Sequence, residues 1–339
     1  MEGTQISSIG VIGAGAWGTT LANLLVEKGY RVSLWVREEE VFNQIKEKGI
    51  NETFLPETRL HPQLEPVRTF REALRGKDLV LMVVPSHVFR DVFMELKSHL
   101  PKGAPIVTAT KGIENETLMT MSQVIRSVLP ACSEGRLACL AGPSFAKEVS
   151  MKRPTAVTIA CKDVKQAERI QHTFYTEFFR VYTTNDLMGV ELCGALKNVI
   201  AIAAGVADGL SFGDNARAAL ITRGLAEIAR LGVSMGANPL TFAGLAGLGD
   251  LVLTCTGDLS RNRTVGLKIA QGMDLEEIVA GMKTVAEGVK TCASAIQLGE
   301  KMGVELPITS QVYEVLYRSK DPREALRDVM TRDLKAELD

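Results

Sequence analysis

The chain carries almost no net charge and few aromatic side chains. Its 339 residues include 39 lysines and arginines against 40 aspartates and glutamates, a formal net charge of −1, and aromatic residues make up 5%. A nearly neutral chain is not a general binder of nucleic acid or anionic membranes, so any phosphate must be held by a local site. The remaining composition is that of an ordinary globular protein, and the length predicts about two domains.

The cysteines offer no CxxC pair and no Cys/His cluster at metal-ligand spacing. Six of them are scattered through apolar segments, at Cys132, Cys139, Cys161, Cys193, Cys255 and Cys292. Free cysteine packs as a small hydrophobic residue, so we expect buried, reduced thiols and no metal site.

The sequence also lacks the patterns of a signal peptide and of a membrane-spanning helix. Residues Met1 to Ser8 contain no basic region followed by a long apolar run, so we expect no signal peptide. The longest stretch of small apolar residues, Met188 to Leu210, includes Glu191, Lys197 and Asp208. Ionisable residues make it a poor membrane span, and we therefore expect a soluble, cytoplasmic protein with no integral membrane segment.

Strand and helix patterns alternate in the first half of the chain. Short β-rich runs fall at Ile9–Ile12, Tyr30–Val36, Asp78–Val84, Ile106–Ala109, Leu137–Leu140, Ala156–Ala160 and Arg180–Thr183, with helical candidates such as Trp17–Glu27 and Val88–Leu100 between them. Continuous apolar runs suit parallel strands covered on both faces. The alternation predicts an α/β fold with a Rossmann-like, mostly parallel sheet over residues 1–187.

Helical spacing dominates the second half. It falls at Met188–Gly209, Asn215–Leu231, Ser260–Gln271, Leu275–Gly281, Val289–Met302 and Ser310–Tyr317. We therefore predict an all-helical second domain over residues 188–339, with a long helix beginning at the boundary.

A glycine-rich turn follows the first strand. Gly13, Gly15 and Gly18 form G-x-G-x-x-G at the start of a helix. The first glycine permits a tight turn, the second lets backbone approach a pyrophosphate, and the third allows close packing of helix on strand. The free N–H groups of the helix N-terminus attract the anion, so we predict a dinucleotide site.

The end of the second strand bears on the choice between NAD and NADP. NAD-preferring folds place an acidic residue there to bind the ribose 2′-hydroxyl. This chain places Arg37 there, which offers a bidentate cation for a 2′-phosphate, and Glu38 to Glu40 follow at once. The pattern favours NADPH/NADP and leaves NADH/NAD open.

Polar residues lie where predicted strands end and inside one apolar helix. Lys111 and Ser144 follow two strands, where open α/β sheets bind ligands. Lys197 and Asn198 interrupt an alanine-rich helix, and a lysine buried there would have a lowered pKa. A third group runs from Gly249-Asp250 to Ser260-Arg261-Asn262-Arg263. Its cations oppose a helix dipole, which makes sense if an anion binds at that turn.

These residues together resemble the bacterial NAD(P)-dependent glycerol-3-phosphate dehydrogenase family. The resemblance covers nearly the whole chain. It rests on residues 13–19, 84–86, 109–112, 141–144, 194–198, 249–251, 260–263 and 285–289. The Leu196-Lys197-Asn198 helix and the Ser260-to-Arg263 turn are the selective parts, since many enzymes share the glycine turn.

The resemblance implies reduction of dihydroxyacetone phosphate to sn-glycerol 3-phosphate, with a role for each matching residue. Lys197 matches the general acid/base, Lys111 the lysine beside substrate and cofactor, and Asp250 and Asn198 polar groups at the reacting centre. The substrate phosphate would contact Arg261 and Asn262, with Ser260, Gly142 and Ser144 nearby. The cofactor positions are Gly13, Gly15, Ala16, Trp17, Gly18, Arg37, Lys111, Ala146, Arg261, Val285 and Glu287. Relatives often carry serine at Ala16, and that contact is left to the backbone. The resemblance also implies a homodimer.

Two other functions fit parts of the pattern. Related two-domain dehydrogenases act on hydroxyacids, phosphogluconate or ketopantoate, and the basic turn alone does not choose among phosphates. A non-catalytic NAD(P)-binding sensor would keep the glycine turn but would not need Lys111, Lys197 and Asp250 together.

Overall fold

The computed structural model of the protein describes residues 6–282, 286–334 and 336–337. Its centre is an eight-stranded sheet in the order β10-β9-β8-β7-β6-β1-β2-β5, and β3 and β4 form a separate two-stranded sheet. The strands are β1 Ser8–Ile12, β2 Arg31–Trp35, β3 Ile50–Asn51, β4 Leu55–Arg59, β5 Glu65–Val67, β6 Leu79–Met82, β7 Ile106–Thr108, β8 Leu137–Ala141, β9 Thr155–Cys161 and β10 Phe179–Thr184. In this sheet order, every pair of neighbours from β8 through β7, β6, β1 and β2 to β5 is parallel. Strands β8 and β9 are antiparallel, and β9 and β10 are parallel.

Helices cover both faces of this sheet and form the rest of the chain. Before residue 187 they are α1 Ala16–Glu27, α2 Glu39–Asn43, α3 Phe70–Leu74, α4 Phe89–Leu96, α5 Met121–Val128, α6 Ala146–Ser150 and α7 Val164–Phe174. They continue as α8 Leu187–Gly209, α9 Asp214–Ser234, α10 Pro239–Phe242, α11 Asp250–Thr256, α12 Arg261–Ala270, α13 Leu275–Ala280, α14 Glu287–Met302, α15 Pro307–Tyr317 and α16 Pro322–Met330. Every strand that the structure describes precedes residue 185.

The predicted fold class is confirmed: a mostly parallel Rossmann-like sheet precedes a helical part. The apolar strands are buried on both faces, as their continuous hydrophobic runs indicate, and β1 and β6 contain no exposed residue. One hydrophobic cluster packs α1 and α7 on one face of the sheet. The other joins the opposite face to α8, α9 and α14 without interruption. The boundary at residues 187/188 stays a prediction.

Several elements differ from the sequence pattern. The predicted helix Val88–Leu100 is α4 flanked by two 3-10 turns, Ser86–Val88 and Lys97–His99. The β3–β4 hairpin and β5 were not predicted, because two of these strands are very short and β4 carries mostly exposed polar residues. Helix α11 was treated only as a polar segment, yet Asp250 begins a regular helix there.

Within the described residues, two helical stretches are long and apolar enough to cross a membrane by length and composition alone. In Leu187–Gly209, 89% of the apolar window is buried inside the protein, which is the property of a core helix. The second, Pro239–Thr256, is 39% buried and consists of α10, a π-helical turn and α11. Length and composition are therefore weak evidence for a membrane span in both stretches.

All six cysteines are buried and free.

Candidate active site

A cleft of about 690 Å³ opens between the carboxyl edge of the sheet and the helical part. Its walls come from the turns after β1, β2, β6, β7 and β8 on one side, and from α8, α11, α12 and α14 on the other. Ligands of open α/β sheets bind beyond the carboxyl ends of the strands, and the cleft lies there.

The glycine turn forms one end of this cleft. Gly13 has φ +114°, a conformation that side chains with a Cβ rarely adopt. A Cβ on Gly18 would lie 1.9 Å from the Gly13 carbonyl oxygen, so the third glycine serves helix packing. A Cβ on Gly15 would meet no atom within 4 Å, and Gly15 lines the cleft. The turn therefore leaves room at Gly15 for a ligand that contacts backbone.

Arg37 lies at the rim beyond β2. Its side chain is 67% exposed and pairs with Glu38 at 3.0 Å between Nη2 and Oε1. Both residues line the cleft, together with the exposed His87 from the turn after β6. Among the described residues Arg37 pairs only with the half-buried Glu38, so it is available to an anionic group at this end.

A cluster of three charged side chains lies at the base of the cleft. Asp250, the first residue of α11, is 1% exposed. Its Oδ2 accepts a hydrogen bond from Lys111 Nζ at 2.8 Å, and its Oδ1 accepts one from Lys197 Nζ. Lys197 also donates to Thr254 Oγ1 at 2.8 Å. Two lysines from distant parts of the chain thus share one buried carboxylate.

Burial and the neighbouring charges set the proton affinity of this cluster. Burial, with the charge of Lys111 acting in the same direction, lowers the pKa of Lys197 to about 7, although Asp250 opposes this. Burial acts to raise the pKa of Asp250, but the two ammonium groups outweigh it and leave that pKa below its ordinary value. Asp250 is therefore a carboxylate at neutral pH, while Lys197 exchanges its proton there.

A second polar network fixes the side chains beside Lys197. Asn262 Nδ2 donates to Asn198 Oδ1 at 2.9 Å, and Asn262 Oδ1 accepts from the Gly288 N–H at 2.9 Å. Gly288 has no room for a Cβ, which would lie 2.6 Å from the Asn198 carbonyl oxygen. Helices α8, α12 and α14 are therefore held in register at this point.

The two arginines of the basic turn have different surroundings. Arg263 donates to Asp208 at 2.8 Å and to Asp258 at 3.1 Å, so its charge is already paired. Arg261 is exposed to the cleft and pairs with no described carboxylate. Ser260 Oγ accepts from the Arg263 N–H at 3.3 Å and caps α12. Of the two, Arg261 is the cation available to a ligand.

Glu287 lies opposite, at the start of α14. It accepts hydrogen bonds from the Ser86 N–H at 3.3 Å and from Ser86 Oγ. Burial raises its pKa, although Ser86 and the charge of Arg261 act in the other direction. A Cβ on Gly112 would lie 2.5 Å from Ser86 Oγ, so a glycine is needed where the turn before α5 passes Ser86.

The structure brings most of the predicted site residues to this one cleft. Those that line it are Gly13, Gly15, Ala16, Trp17, Arg37, Lys111, Ser144, Ala146, Lys197, Asn198, Asp250, Ser260, Arg261, Asn262 and Glu287. Gly18 and Gly142 do not line it: Gly18 packs on the Gly13 carbonyl, and a Cβ on Gly142 would lie 2.9 Å from Val157 Cα. Val285 lies outside the described residues.

Some residues of the cleft were not singled out from the sequence. Thr254 donates to the Asp250 carbonyl oxygen at 2.6 Å, and the i, i+4 spacing on α11 brings its hydroxyl to Lys197. Recognising α11 as a helix would have found it. The hairpin residues from Phe54 to Glu57 also line the cleft. No local pattern indicates them, because their contacts join distant segments.

The described part of the chain contains no group of three or more His, Cys, Asp or Glu side chains that could hold a metal ion. The polar groups of the cleft are cations, separate carboxylates, amides and backbone next to a glycine turn. These features together define a dinucleotide-dependent dehydrogenase with a helical second part.

The chain belongs to the NAD-dependent glycerol-3-phosphate dehydrogenase family. The family model for the N-terminus matches residues 8–167, and the model for the C-terminus matches residues 186–327.

Individual relatives extend over nearly the whole chain. A glycerol-3-phosphate dehydrogenase [NAD(P)+] of Syntrophobacter fumaroxidans is 55% identical, over 98% of this chain and 97% of its own. One of Geobacter metallireducens is 56% identical, over 97% of this chain and 98% of its own. The crystal structure of a Coxiella burnetii glycerol-3-phosphate dehydrogenase superposes with a TM-score of 0.91 at 37% identity, covering 97% of this chain and 99% of its own.

The two glycines of the turn should respond differently to alanine. Gly18→Ala forces a Cβ onto the Gly13 carbonyl oxygen and should lower the unfolding temperature markedly. Gly15→Ala has room and an ordinary φ of −64°, so it should keep that temperature but obstruct the cleft and weaken NADP⁺ binding. Thermal unfolding and a fluorescence titration measure the two effects. Equal losses of stability in both variants would contradict the assignment of Gly18 to helix packing and of Gly15 to ligand contact.

Proposed function

We propose that the protein is an NAD(P)-dependent glycerol-3-phosphate dehydrogenase. It reduces dihydroxyacetone phosphate to sn-glycerol 3-phosphate, reversibly, and so supplies the backbone of glycerophospholipids. The observation that carries this is the Lys111–Asp250–Lys197 cluster at the base of a cleft between a glycine turn and the unpaired Arg261. The names of the relatives at 55% and 56% identity support it.

The substrate phosphate binds at the start of α12. Arg261 supplies the charge, and the N-terminal N–H groups of this ten-residue helix point toward the same anion. Ser260 and Asn262 flank Arg261, while Ser144, with Gly142 behind it, faces them from the turn after β8. Binding energy at the phosphate then orients the distant carbonyl group for reaction.

The carbonyl oxygen of the substrate is placed against Lys197. NAD(P)H, when bound, supplies the hydride to the carbonyl carbon. Lys197 donates its proton to the oxygen on which negative charge develops, and the Lys111 ammonium stabilises the same charge. Asp250 accepts hydrogen bonds from both amino groups and holds them in place, and Thr254 Oγ1 accepts a further hydrogen bond from Lys197. Asn198, fixed by Asn262, contacts the reacting centre.

Residues from the rim of the cleft to this cluster would hold the dinucleotide. Gly13, Gly15, Ala16 and Trp17 provide backbone at the turn, and Gly18 supports it. Arg37 contacts the 2′-phosphate of NADP, which makes NADPH the preferred cofactor, with NADH as the alternative. Lys111, Ala146, Arg261, Val285 and Glu287 contact the remainder of the cofactor in this proposal. The open space at Gly15 supports the fit.

A substrate panel separates this function from its rivals. Oxidation of NADPH or NADH is followed by absorbance with dihydroxyacetone phosphate, and then with 6-phosphogluconate, hydroxyacid or ketopantoate substrates as controls. Turnover with the first substrate alone is the expected result. Turnover only with another substrate would reassign the enzyme, and no turnover with any would favour a binding protein.

The domain division, assembly and location belong to the same proposal. A dinucleotide-binding domain spans residues 1–187 and a helical substrate-binding domain spans residues 188–339. The protein is a cytoplasmic homodimer. Light scattering coupled to size exclusion gives the mass in solution, which should be twice the 36.8 kDa of the chain.

The two directions of the reaction should depend oppositely on pH. Reduction needs the Lys197 ammonium, which is present below its pKa of about 7 and is lost above it. Oxidation of glycerol 3-phosphate needs the neutral amine, which is gained over the same range. The kcat for reduction should therefore fall, and that for oxidation rise, as pH increases through neutrality. Two pH profiles of kcat that change in the same direction would contradict the role of Lys197 in proton transfer.

Lys197→Ala should abolish turnover in both directions while keeping cofactor affinity.

Arg261→Ala should act mainly on substrate binding. The variant loses the one cleft arginine of the basic turn that has no carboxylate partner, so the KM for dihydroxyacetone phosphate should rise by about tenfold or more. Steady-state kinetics at saturating cofactor measure it. Arg153→Ala, on an exposed ion pair elsewhere, is the control and should leave KM unchanged. An unaltered KM in Arg261→Ala would remove the phosphate role.

Arg37→Ala should change the choice of cofactor. An exposed arginine that contacts the 2′-phosphate adds affinity for NADPH only, so the variant should raise the KM for NADPH several-fold and leave that for NADH nearly constant. The ratio of the two values of kcat/KM is the measurement. Undiminished use of NADPH would exclude Arg37 from the 2′-phosphate site.

A further inference from the structure

One fully buried asparagine outside the cleft binds the glycine turn directly. Asn51, the last residue of β3, is 0% exposed. Its Nδ2 donates to the Ala14 carbonyl oxygen at 2.8 Å and to Thr19 Oγ1 at 2.8 Å. Thr19 Oγ1 in turn donates to the same carbonyl at 3.1 Å. The Ala14 oxygen is thus held by two donors on the side of the turn that faces the interior.

The direction of this carbonyl determines the direction of the next N–H. The Ala14–Gly15 peptide is planar and, like all described peptide bonds, not cis, so its C=O and N–H point in opposite directions. Because the oxygen points inward to Asn51, the Gly15 N–H points away from it, on the side where Gly15 lines the cleft. A Cβ on Gly15 would meet no atom within 4 Å, so the cleft is open beside this peptide.

The same side chain orders a wall of the cleft. Asn51 Oδ1 accepts from the Phe54 N–H at 3.1 Å, and Phe54 begins the part of the β3–β4 hairpin that lines the cleft. Farther along the hairpin, Glu57 pairs with Lys147 at 3.1 Å and Thr58 donates to Ser150 at 3.1 Å. The hairpin is therefore tied to the glycine turn at one end and to α6 at the other.

We propose that Asn51 is a positioning residue for the cofactor pyrophosphate: its buried carboxamide holds the Ala14–Gly15 peptide so that the Gly15 N–H faces the cleft. The inference rests on the proposed use of NAD(P)H. Asn51 touches no ligand itself and acts through the peptide and through the hairpin. A side chain that cannot donate at this position leaves the Ala14 carbonyl with one donor and frees the peptide to rotate.

The test measures cofactor affinity apart from turnover. Asn51→Leu, of similar volume, should raise the Kd for NADP⁺ by about tenfold, the effect of losing an aligned hydrogen bond to an anion. With NADPH saturating, its kcat and its KM for dihydroxyacetone phosphate should stay within about twofold of wild type. Binding is titrated without substrate, so failure of the proposed reaction in the wild-type enzyme is distinguished from failure of this inference.

Asn23→Leu is the matched control. Asn23 is also a buried asparagine, lies on α1, and accepts from the His61 N–H at 2.7 Å just after β4, but it does not touch the glycine turn. It should lose stability and keep its Kd for NADP⁺. Equal weakening of NADP⁺ binding in both variants, or an unchanged Kd in Asn51→Leu, overturns the proposal.

Asn51→Asp tests the positioning role of the Asn51 carboxamide if the leucine variant does not fold. It keeps the shape and the acceptor for Phe54, but a carboxylate has no proton to donate to the Ala14 carbonyl. NADP⁺ affinity should be low at pH 8 and recover toward wild type as the pH falls and the carboxyl group gains a proton. A variant whose NADP⁺ affinity follows the wild-type pH dependence would rule out the positioning role.

Discussion

The site depends on one buried carboxylate that two ammonium groups share. Asp250 could not remain ionised at 1% exposure without partners, and the lysines could not lie so close to each other without an anion between them. The three side chains come from the turn after β7, from the middle of α8 and from the start of α11. Each segment must therefore be placed by the fold before the cluster can form, and the cluster in turn links the sheet to the helical part.

Glycines allow the helices to approach closely enough for this. A Cβ on Gly205 of α8 would lie 2.1 Å from the Arg263 carbonyl oxygen, and one on Gly266 of α12 would lie 2.1 Å from that of Ile202. The two helices thus pack backbone against backbone, which brings Asn262 within 2.9 Å of Asn198, the neighbour of Lys197. Some of the 30 glycines of the chain therefore serve helix packing around the site, in addition to those of the glycine turn.

Local chemistry explains how far the sequence could predict this arrangement. The strand–glycine–helix pattern, the apolar parallel strands and the long α8 each follow from short-range rules, and the structure has them. Lys111 and Asp250 are 139 residues apart in sequence, and hydrophobic periodicity does not indicate that they form an ion pair. Only the family resemblance placed both at one site. Helix α11 was missed because Gly249 and Gly257 bracket just seven residues. The β3–β4 hairpin was missed because β3 has only two residues and most of β4 is exposed.

The net charge of −1 conceals an uneven distribution that the site uses. Arg263 is neutralised by Asp208 and Asp258, whereas Arg261, two residues away, is left without a described carboxylate partner. At the base of the cleft, two lysines face one aspartate, an excess of one positive charge when Lys197 is protonated. An anionic ligand that reaches both places supplies the missing negative charge. A nearby anion favours the protonated form of Lys197, so in the proposed reaction phosphate binding at Arg261 would support proton donation at Lys197 electrostatically.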